Sequence, residues 1–330
     1  MRALHLVALG TLCAASGDLQ PAPEDTRIAF ASKRGGNWDV YVMDPDGGHA
    51  VRRTAGAGQD RFPEWSPDGR RIAFGSQRGD RWELWVMDAD GGHAARLAAD
   101  VVAKDPRAWS PDGTRIAFGS ERDGNAEIYV IRPDGSGLTR LTNDRADDRG
   151  ASWSPDGRTI AFASSRTGHR EIYLMYADGS GLRRLTGDSA DARDPAWSPD
   201  GRRLAFVSSR GGRREIHLMD PGGGHRMRLV ADPAADLDLP RWSPDGKWIA
   251  FRSKRGDNYD VEVARGDGRN RTRLTTGPAY DGSLSWSPDG SRIAFISDRE
   301  GFDALYVVRP PDTAAKRLTA YPALDPQWSR

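Results

Sequence analysis

The feature that most constrains this chain is a motif, Trp-Ser followed in all but its last copy by Pro-Asp-Gly, that returns at a nearly fixed interval. Successive tryptophans of the motif are separated by 44, 44, 44, 45, 44 and 42 residues. A fixed period of this length is typical of a repeat protein, in which each repeat forms one small unit and neighbouring units pack together. The seven tryptophans are Trp65, Trp109, Trp153, Trp197, Trp242, Trp286 and Trp328.

Each repeat contains four short segments with the composition of β-strands, which we call a, b, c and d. Strand a ends in Trp-Ser, strand b begins with Ile/Leu-Ala-Phe, strand c resembles Ile-Tyr-Val, and strand d resembles Arg-Leu-Thr. Ser-Pro-Asp-Gly suits a tight a–b turn, because proline fixes φ, aspartate caps the turn and glycine accepts the left-handed conformation. Four strands in about 44 residues are typical of a propeller blade. Strand b begins at Ile28, Ile72, Ile116, Ile160, Leu204, Ile249 and Ile293.

The two ends of the repeat region predict how the ring closes. Strand b at Ile28 has no strand a before it, and the last strand a, at Trp328, has no strand b after it. The C-terminal strand can therefore complete the N-terminal blade, which removes an open sheet edge. We predict an all-β fold for residues 25–330, a seven-bladed β-propeller with four strands per blade, built from seven repeats of about 44 residues.

The N-terminus has a different character. Arg2 is followed by a short apolar run and then by small residues, the pattern of a secretory signal peptide. We predict a signal peptide at residues 1–17, a short linker at 18–24, and export to the periplasm or the extracellular space. The one cysteine, Cys13, lies inside this segment, and the bulky Leu12 before it argues against lipidation.

The overall charge limits the classes of partner. Lys plus Arg number 48 and Asp plus Glu number 47, so no net charge attracts nucleic acid or anionic lipid to the chain as a whole. No segment is long and apolar enough for a transmembrane helix. We expect no nucleic-acid partner, no transmembrane segment and a monomer.

The repeated motifs resemble those of the TolB-like, WD-repeat-like β-propeller family, whose hallmark is Trp-Ser-Pro-Asp-Gly followed by Ile-Ala-Phe. The resemblance runs from about Asp25 to the C-terminus. Periplasmic TolB resembles a six-bladed propeller behind an N-terminal α/β domain, whereas this chain has seven repeats and no room for that domain. TolB's role in the Tol–Pal envelope system therefore carries over only weakly. The family also includes propellers attached to serine peptidases and some polysaccharide-lyase propellers, so the fold alone does not decide the function.

A second pattern places opposite charges in every repeat. An arginine ends strand b, and an acid follows five residues later, or four in the last repeat. The two should face each other across the b–c hairpin as a cross-strand ion pair. We interpret the pairs as a structural latch rather than a ring of ligand-binding groups, each contributing about 0–1 kcal/mol. The pairs are Arg34 with Asp39, Arg78 with Glu83, Arg122 with Glu127, Arg166 with Glu171, Arg210 with Glu215, Arg255 with Asp260, and Arg299 with Asp303.

The sequence predicts no catalytic residue, no metal site and no cofactor. It has no Gly-x-Ser-x-Gly elbow, no phosphate loop, and no cysteine outside the signal peptide. Three histidines occupy the same c–d turn in different repeats and should point apart, which disfavours metal binding. Two acidic d–a loops leave a calcium site open as the weaker alternative to ordinary turn chemistry. The histidines are His49, His93 and His225, and the acids are Asp144, Asp147, Asp148, Asp188, Asp191 and Asp194.

One variable position marks a candidate binding face. The b–c and d–a loops share one face of the ring and vary between repeats, and variable loops on a repeated scaffold are where recognition usually resides. The residue before the hairpin acid is aromatic in repeats 6, 7, 1 and 2, which become neighbours when the ring closes. Packing of these aromatics on adjacent loops is the alternative. The predicted binding residues are Trp38, Trp82, Tyr259 and Phe302.

These observations favour an exported, non-catalytic scaffold that presents variable loops to a protein or a cell-envelope component. The strand-a tryptophans fit this interpretation as blade-packing residues. The alternative is a polysaccharide-binding or polysaccharide-lyase-type propeller acting at the central funnel. Convergent His, Arg and Glu side chains in the channel would favour the enzyme.

Overall fold

The chain folds into a ring of seven antiparallel sheets. The computed structural model describes residues 26–102, 108–187 and 190–329, and every regular element in these ranges is a β-strand. The strands pair into seven four-stranded sheets in the order a, b, c, d. The predicted seven-bladed β-propeller is confirmed. The predicted signal peptide and linker, residues 1–17 and 18–24, lie outside the described residues and stay predictions.

The strands are numbered in chain order, and each blade is given from strand a to strand d. Blade 1 is β28 (Ala323–Trp328), β1 (Ile28–Ser32), β2 (Asp39–Met43) and β3 (Val51–Arg52). Blade 2 is β4 (Gln59–Trp65), β5 (Arg71–Arg78), β6 (Arg81–Asp88) and β7 (Ala95–Ala98). Blade 3 is β8 (Ala108–Trp109), β9 (Ile116–Ser120), β10 (Glu127–Ile131) and β11 (Thr139–Arg140).

Blade 4 is β12 (Asp148–Trp153), β13 (Thr159–Ser164), β14 (Glu171–Tyr176) and β15 (Arg183–Arg184). Blade 5 is β16 (Ala192–Trp197), β17 (Leu204–Ser208), β18 (Glu215–Met219) and β19 (Met227–Val230). Blade 6 is β20 (Asp236–Trp242), β21 (Trp248–Arg255), β22 (Asn258–Arg265) and β23 (Thr272–Arg273). Blade 7 is β24 (Asp281–Trp286), β25 (Ile293–Ser297), β26 (Ala304–Val308) and β27 (Lys316–Arg317).

The ring closes as the repeat boundaries predict. Strand β28 pairs antiparallel with β1, with Trp328 opposite Ile28. Beyond the paired strands, the amide of Ser329 donates to the carbonyl of Arg27 at 2.8 Å, and the amide of Arg27 donates to Ser329 Oγ at 2.7 Å. The C-terminal strand therefore completes the N-terminal blade.

The hydrophobic core lies in the seams between blades. In the seam between blades 3 and 4, Ile128 and Val130 of one sheet pack against Ile160 and Phe162 of the next. Burial on both faces explains why strands b and c are apolar at nearly every position. The phenylalanine of each Ile-Ala-Phe triplet is buried in one of these seams. These residues are Phe30, Phe74, Phe118, Phe162, Phe206, Phe251 and Phe295.

The strand-a tryptophans join consecutive blades, which confirms their predicted packing role. The a strands contact one another around the central axis, and six of the indole nitrogens donate to a backbone carbonyl of the preceding a strand at 3.0 to 3.3 Å. A buried indole N–H needs such an acceptor. The pairs are Trp65 with Gln327, Trp109 with Glu64, Trp153 with Ala108, Trp197 with Ser152, Trp242 with Ala196, and Trp286 with Arg241.

Candidate binding face at the channel mouth

A β-bulge distorts the innermost strand of six blades near the face that carries the b–c and d–a loops. Three residues before the tryptophan, the backbone enters the left-handed region with φ between 50° and 72°. The register of the a–b pairing shifts at the same point. Such bulges re-aim side chains, and left-handed non-glycine residues concentrate at functional sites. The bulge residues are Phe62, Gly150, Asp194, Leu239, Ser283 and Asp325.

Arg61 and Phe62, at the bulge of blade 2, bring two of the predicted aromatic residues into one group. The guanidinium of Arg61 lies 5.4 Å from the Trp38 ring and 4.6 Å from the Phe62 ring. The Phe62 ring lies 5.6 Å from the Trp82 ring. Arg61 is anchored by an ion pair to Asp325, the bulge residue of blade 1, at 3.2 Å. Trp38, Arg61, Phe62 and Trp82 therefore form a continuous surface across blades 1 and 2, which we call the aromatic mouth.

Tyr259 lies in a second group, on blades 6 and 7. Its ring meets the Tyr280 ring edge-on at 5.3 Å, and the guanidinium of Arg252 lies 4.5 Å from its centre. Arg252 also donates to Tyr280 Oη at 3.0 Å and pairs with Asp238 through two hydrogen bonds of 2.8 and 2.9 Å. Burial alone would lower the pKa of Arg252, but Asp238 raises it, so the guanidinium stays charged.

Phe302 is not equivalent to the other predicted aromatic residues. The strand register places Ala304 opposite Ser297, where the hairpin acid stands in the other blades. Asp303 therefore takes the position of Trp38, and Phe302 lies one residue earlier, against the core cluster of blades 6 and 7. Burial and the neighbouring Asp298 raise the pKa of Asp303, and Arg61 opposes this shift across the mouth. The prediction misaligned blade 7, because its acid, Asp303, stands one residue earlier in a hairpin that is as long as those of the other blades.

The predicted b–c ion pairs are wrong in most blades. The residue directly opposite the hairpin acid is a serine, two positions before the arginine, so the arginine does not face the acid across the hairpin. The acid instead pairs with the arginine of strand d. The observed pairs are Arg52 with Asp39 at 2.7 Å, Arg96 with Glu83 at 2.9 Å, Arg140 with Glu127 at 2.8 Å, Arg228 with Glu215 at 3.5 Å, and Arg273 with Asp260 at 2.5 Å.

The arginine that ends strand b stacks on the aromatic residue of strand c. The guanidinium lies 4.5 to 5.5 Å from that ring in five blades, and in three of them it also pairs with an acid of strand a. In blade 6 the predicted pair does approach, with Arg255 Nη1 3.7 Å from Asp260 Oδ2. The stacked pairs are Arg34 on Tyr41, Arg78 on Trp85, Arg122 on Tyr129, Arg166 on Tyr173, and Arg299 on Tyr306.

The histidines bind carboxylates within their own blades. His49, His93 and His225 each contact the aspartate five residues earlier through Nδ1, at 2.5 to 2.7 Å, on separate c–d turns. His169 and His217 contact Glu171 and Glu215 at 2.8 and 3.0 Å. The acidic d–a loops use their carboxylates as hydrogen-bond acceptors: Asp144 accepts from the amide of Ala146, Asp147 from that of Ala126, and Asp191 from that of Arg170. Among the described residues, no three His, Cys, Asp or Glu side chains form a group that could hold a metal ion.

Sequence reasoning missed the residues that organise both groups. These are Arg61 and Phe62 in the aromatic mouth, and Asp238, Arg252 and Tyr280 in the group on blades 6 and 7. All five belong to strand a or strand b or flank strand a, and the repeat makes these positions look purely structural. The available signal was the variation three and four residues before each strand-a tryptophan, where the chain is otherwise regular. The bulge that turns these positions toward the mouth has no signature of its own in the sequence.

Fold and mouth together define a closed seven-bladed propeller with an irregular, aromatic and charged central face. A family model described as TolB beta propeller domain matches residues 19–105, 101–193, 189–261 and 239–330. The chain belongs to this TolB β-propeller family. A search among curated proteins finds no match.

Solved structures share the fold. TolB from Acinetobacter baumannii is 23% identical over 93% of this chain and 68% of its own, with a TM-score of 0.61. A putative TolB from Agrobacterium tumefaciens is 24% identical over 87% of this chain and 98% of its own, with a TM-score of 0.60. Oligogalacturonate lyase from Vibrio parahaemolyticus is 19% identical over 86% of both chains, with a TM-score of 0.71. Similarity at these identities concerns the fold alone. In the described part of the chain, no helix is long and apolar enough to cross a membrane.

Proposed function

We propose that this protein is an exported, non-catalytic interaction scaffold and that a protein or cell-envelope partner docks on the aromatic mouth. The observation that carries the proposal is the continuous surface of Trp38, Arg61, Phe62 and Trp82 on blades 1 and 2. Trp and Arg are the residues most enriched at the energetic centres of protein interfaces. In this group the arginine is held in place before binding by Asp325, so less side-chain entropy is lost when a partner docks.

The repeat itself supplies substitutions that the fold accepts. Blade 3 carries Ala126 at the position of Trp38 and Trp82, so alanine is a native residue at this point of a blade. The double variant Trp38→Ala and Trp82→Ala should weaken partner binding by about 2 kcal/mol or more, a rise in Kd of about thirtyfold. The partner is first recovered by cross-linking in the native envelope fraction, and its affinity for wild-type and variant protein is then measured by titration.

Controls separate binding from folding. Trp82 packs against the core cluster of blades 2 and 3, so thermal unfolding is measured in parallel. Trp38→Ala alone repeats the test if the double variant is unstable. Tyr176→Ala, which removes an exposed aromatic ring from the opposite face, should leave partner affinity unchanged. Normal binding by a folded double variant would place the partner site elsewhere.

A second candidate function, polysaccharide binding at the central funnel, is favoured by the group around Tyr259 on blades 6 and 7. There an aromatic pair stands beside the ion-paired guanidinium of Arg252. Aromatic faces with a few oriented polar groups are typical of small-ligand sites. Tyr259→Ala separates the two functions, because it should abolish titration heat with an acidic oligosaccharide only if the sugar hypothesis is correct.

Export is tested directly on the protein in its host. We expect that residues 1 to about 17 are absent from the recovered chain, because signal peptides are removed on translocation. N-terminal sequencing or intact-mass spectrometry of protein from the periplasmic and extracellular fractions measures this. Cytoplasmic protein that retains Met1 would contradict the prediction.

A further inference from the structure

Three junctions between consecutive blades bury a second carboxylate, near the face that carries the b–c and d–a loops. The strand-a residue opposite the strand-b serine is an aspartate in blades 2, 4 and 7, and it lies near the hairpin acid of the preceding blade. At this position the other four blades carry Val101, Ala192, Leu237 and Ala323. The six acidic residues are 0 to 2% exposed. The carboxylate pairs are Asp39 with Asp60, Glu127 with Asp148, and Asp260 with Asp281.

Two of the carboxylate pairs are adjacent to the aromatic groups of the candidate binding face. Asp39 directly follows Trp38, and Asp60 directly precedes Arg61. The amide of Asp60 donates to the carbonyl of Trp38 at 2.7 Å, so this pair is attached to the aromatic mouth from both blades. The pair of blades 6 and 7 is placed in the same way, since each of its acids directly follows a tyrosine of the second group.

Arginines surround the carboxylate pairs and balance their charge. Each of the six carboxylates has an arginine nitrogen at 2.5 to 3.9 Å, and some of these arginines are shared with further acids. The arginines are Arg52, Arg78, Arg140, Arg166, Arg255, Arg273 and Arg299. The acids that share them are Asp123, Asp232 and Glu262, and the tyrosines that face the pairs are Tyr173 and Tyr306.

The hydrogen bonds of the carboxylate pairs are incomplete although the charges are balanced. Oδ1 of Asp39, Asp148 and Asp260 is buried and has no hydrogen-bond partner, and no other acid among the residues the structure describes has a buried oxygen in this state. At Asp260 the donors all approach Oδ2, with Arg273 at 2.5 Å and Asn258 at 3.4 Å. A buried acceptor without a donor destabilises a fold.

The buried surroundings favour the protonated form of these three aspartates. Burial raises the pKa of Asp39, Asp148 and Asp260 in spite of their arginines. The neighbouring charges of Asp60 and Asp281 add to the rise in the pKa of Asp39 and of Asp260. Two carboxylates at one buried site typically hold a proton that either would lose alone in water.

We propose that each carboxylate pair takes up one proton as the medium becomes mildly acidic, and that these protons stabilise the ring beneath its binding face. The proton turns an unpaired acceptor into a donor toward its neighbours in the junction. The folded chain holds this proton more tightly than the unfolded chain does. The free energy of unfolding therefore rises as the pH falls through the raised pKa, and the gain is complete below the unfolded value of about 3.9. This response belongs to the fold and does not depend on what binds the mouth.

The test uses asparagine, which is the shape of the protonated acid and donates from its amide. Urea unfolding of the wild type is compared with that of the triple variant Asp39→Asn, Asp148→Asn and Asp260→Asn from about pH 8 down to about pH 4.5. At the upper end the variant should have the higher midpoint, and the difference should shrink toward zero at the lower end. Taking the difference removes the contribution of the other titrating groups, among them the turn histidines.

The control variant is Asp156→Asn, in the a–b turn of blade 4. The hydroxyl of Ser154 and the amide of Arg158 lower the pKa of Asp156, so its charged form stabilises the fold. This variant should be less stable than the wild type by the same amount over the whole pH range. A second measurement detects the proton itself: infrared spectra of the acidified wild type should show the carbonyl band of buried protonated carboxyl groups, and the triple variant should lack it.

Asp148→Asn alone repeats both measurements if the triple variant does not fold. A midpoint below that of the wild type at every pH, or an infrared band that persists in the variant, would overturn the proposal. So would stabilisation of the wild type by calcium or sodium ions that the variant loses, because a cation and not a proton would then occupy the junctions.

Discussion

A chain that ends at Pro322 should lose the native ring, because residues 323–330 supply strand a of blade 1. Strand β28 pairs along β1 and packs between the innermost strands of blades 7 and 2. Its loss would expose the buried edge of β1 and remove the Trp328 side chain from the seam that closes the ring. It would also remove Asp325, the partner of Arg61, and the carbonyl that accepts the Trp65 indole.

The expected destabilisation exceeds that of any single core substitution. Truncating one buried Trp or Phe costs about 3–5 kcal/mol, and here a whole strand with its hydrogen bonds is lost. Thermal unfolding followed by circular dichroism should show a much lower Tm or no cooperative transition. A synthetic peptide of residues 323–330, added in trans, should restore part of the loss, whereas the same peptide with Trp328→Ala should not. A truncated chain that unfolds like the full chain would refute closure by β28.

Everything that depends on the period of the sequence could be predicted from it. The Trp-Ser spacing and the orphan strand a at Trp328 determine the number of blades and the closing strand, because each blade can bury its faces only against two neighbours. The turn chemistry of Ser-Pro-Asp-Gly follows from local rules, and Ser66, Asp68 and Gly69 form the expected hydrogen bonds. These predictions rest on backbone geometry that repeats from blade to blade.

The side-chain partners could not be predicted in the same way. Each hairpin acid has arginines within reach on strands b and d, and the sequence does not specify which one it meets. The register decides, since it places a serine and not the strand-b arginine opposite the acid. Departures of one residue have similar consequences. In blade 7 the acid comes one residue earlier, so Asp303 and not Phe302 takes the aromatic position. In blade 4, Glu171 contacts His169 instead of the strand-d arginine.

The observed ion pairs predict that Glu127 is the charged residue of blade 3 that contributes most to the stability of the fold. Glu127 is fully buried and accepts hydrogen bonds from Arg140 at 2.8 Å, from the hydroxyl of Thr142 at 2.5 Å and from the amide of Asp144 at 2.8 Å. Glu127→Ala leaves these donors without their acceptor, and breaking a buried pair from one side costs about 3–5 kcal/mol. Urea unfolding should show this as a lower midpoint with little change in the slope.

Arg122→Ala is the matched comparison, since Arg122 is the residue first expected to pair with Glu127. Its guanidinium stacks 5.1 Å from the Tyr129 ring and donates to the carbonyl of Ala99 at 2.8 Å, so we expect a loss of only about 0.5–1 kcal/mol and no change in partner binding. Double-mutant cycles complete the test. Glu127 and Arg140 should be strongly coupled, while Glu127 and Arg122 should be nearly additive. Strong coupling of Glu127 to Arg122 would indicate that Arg122 is the ion-pair partner of Glu127 after all. It would contradict the pairing of Glu127 with Arg140.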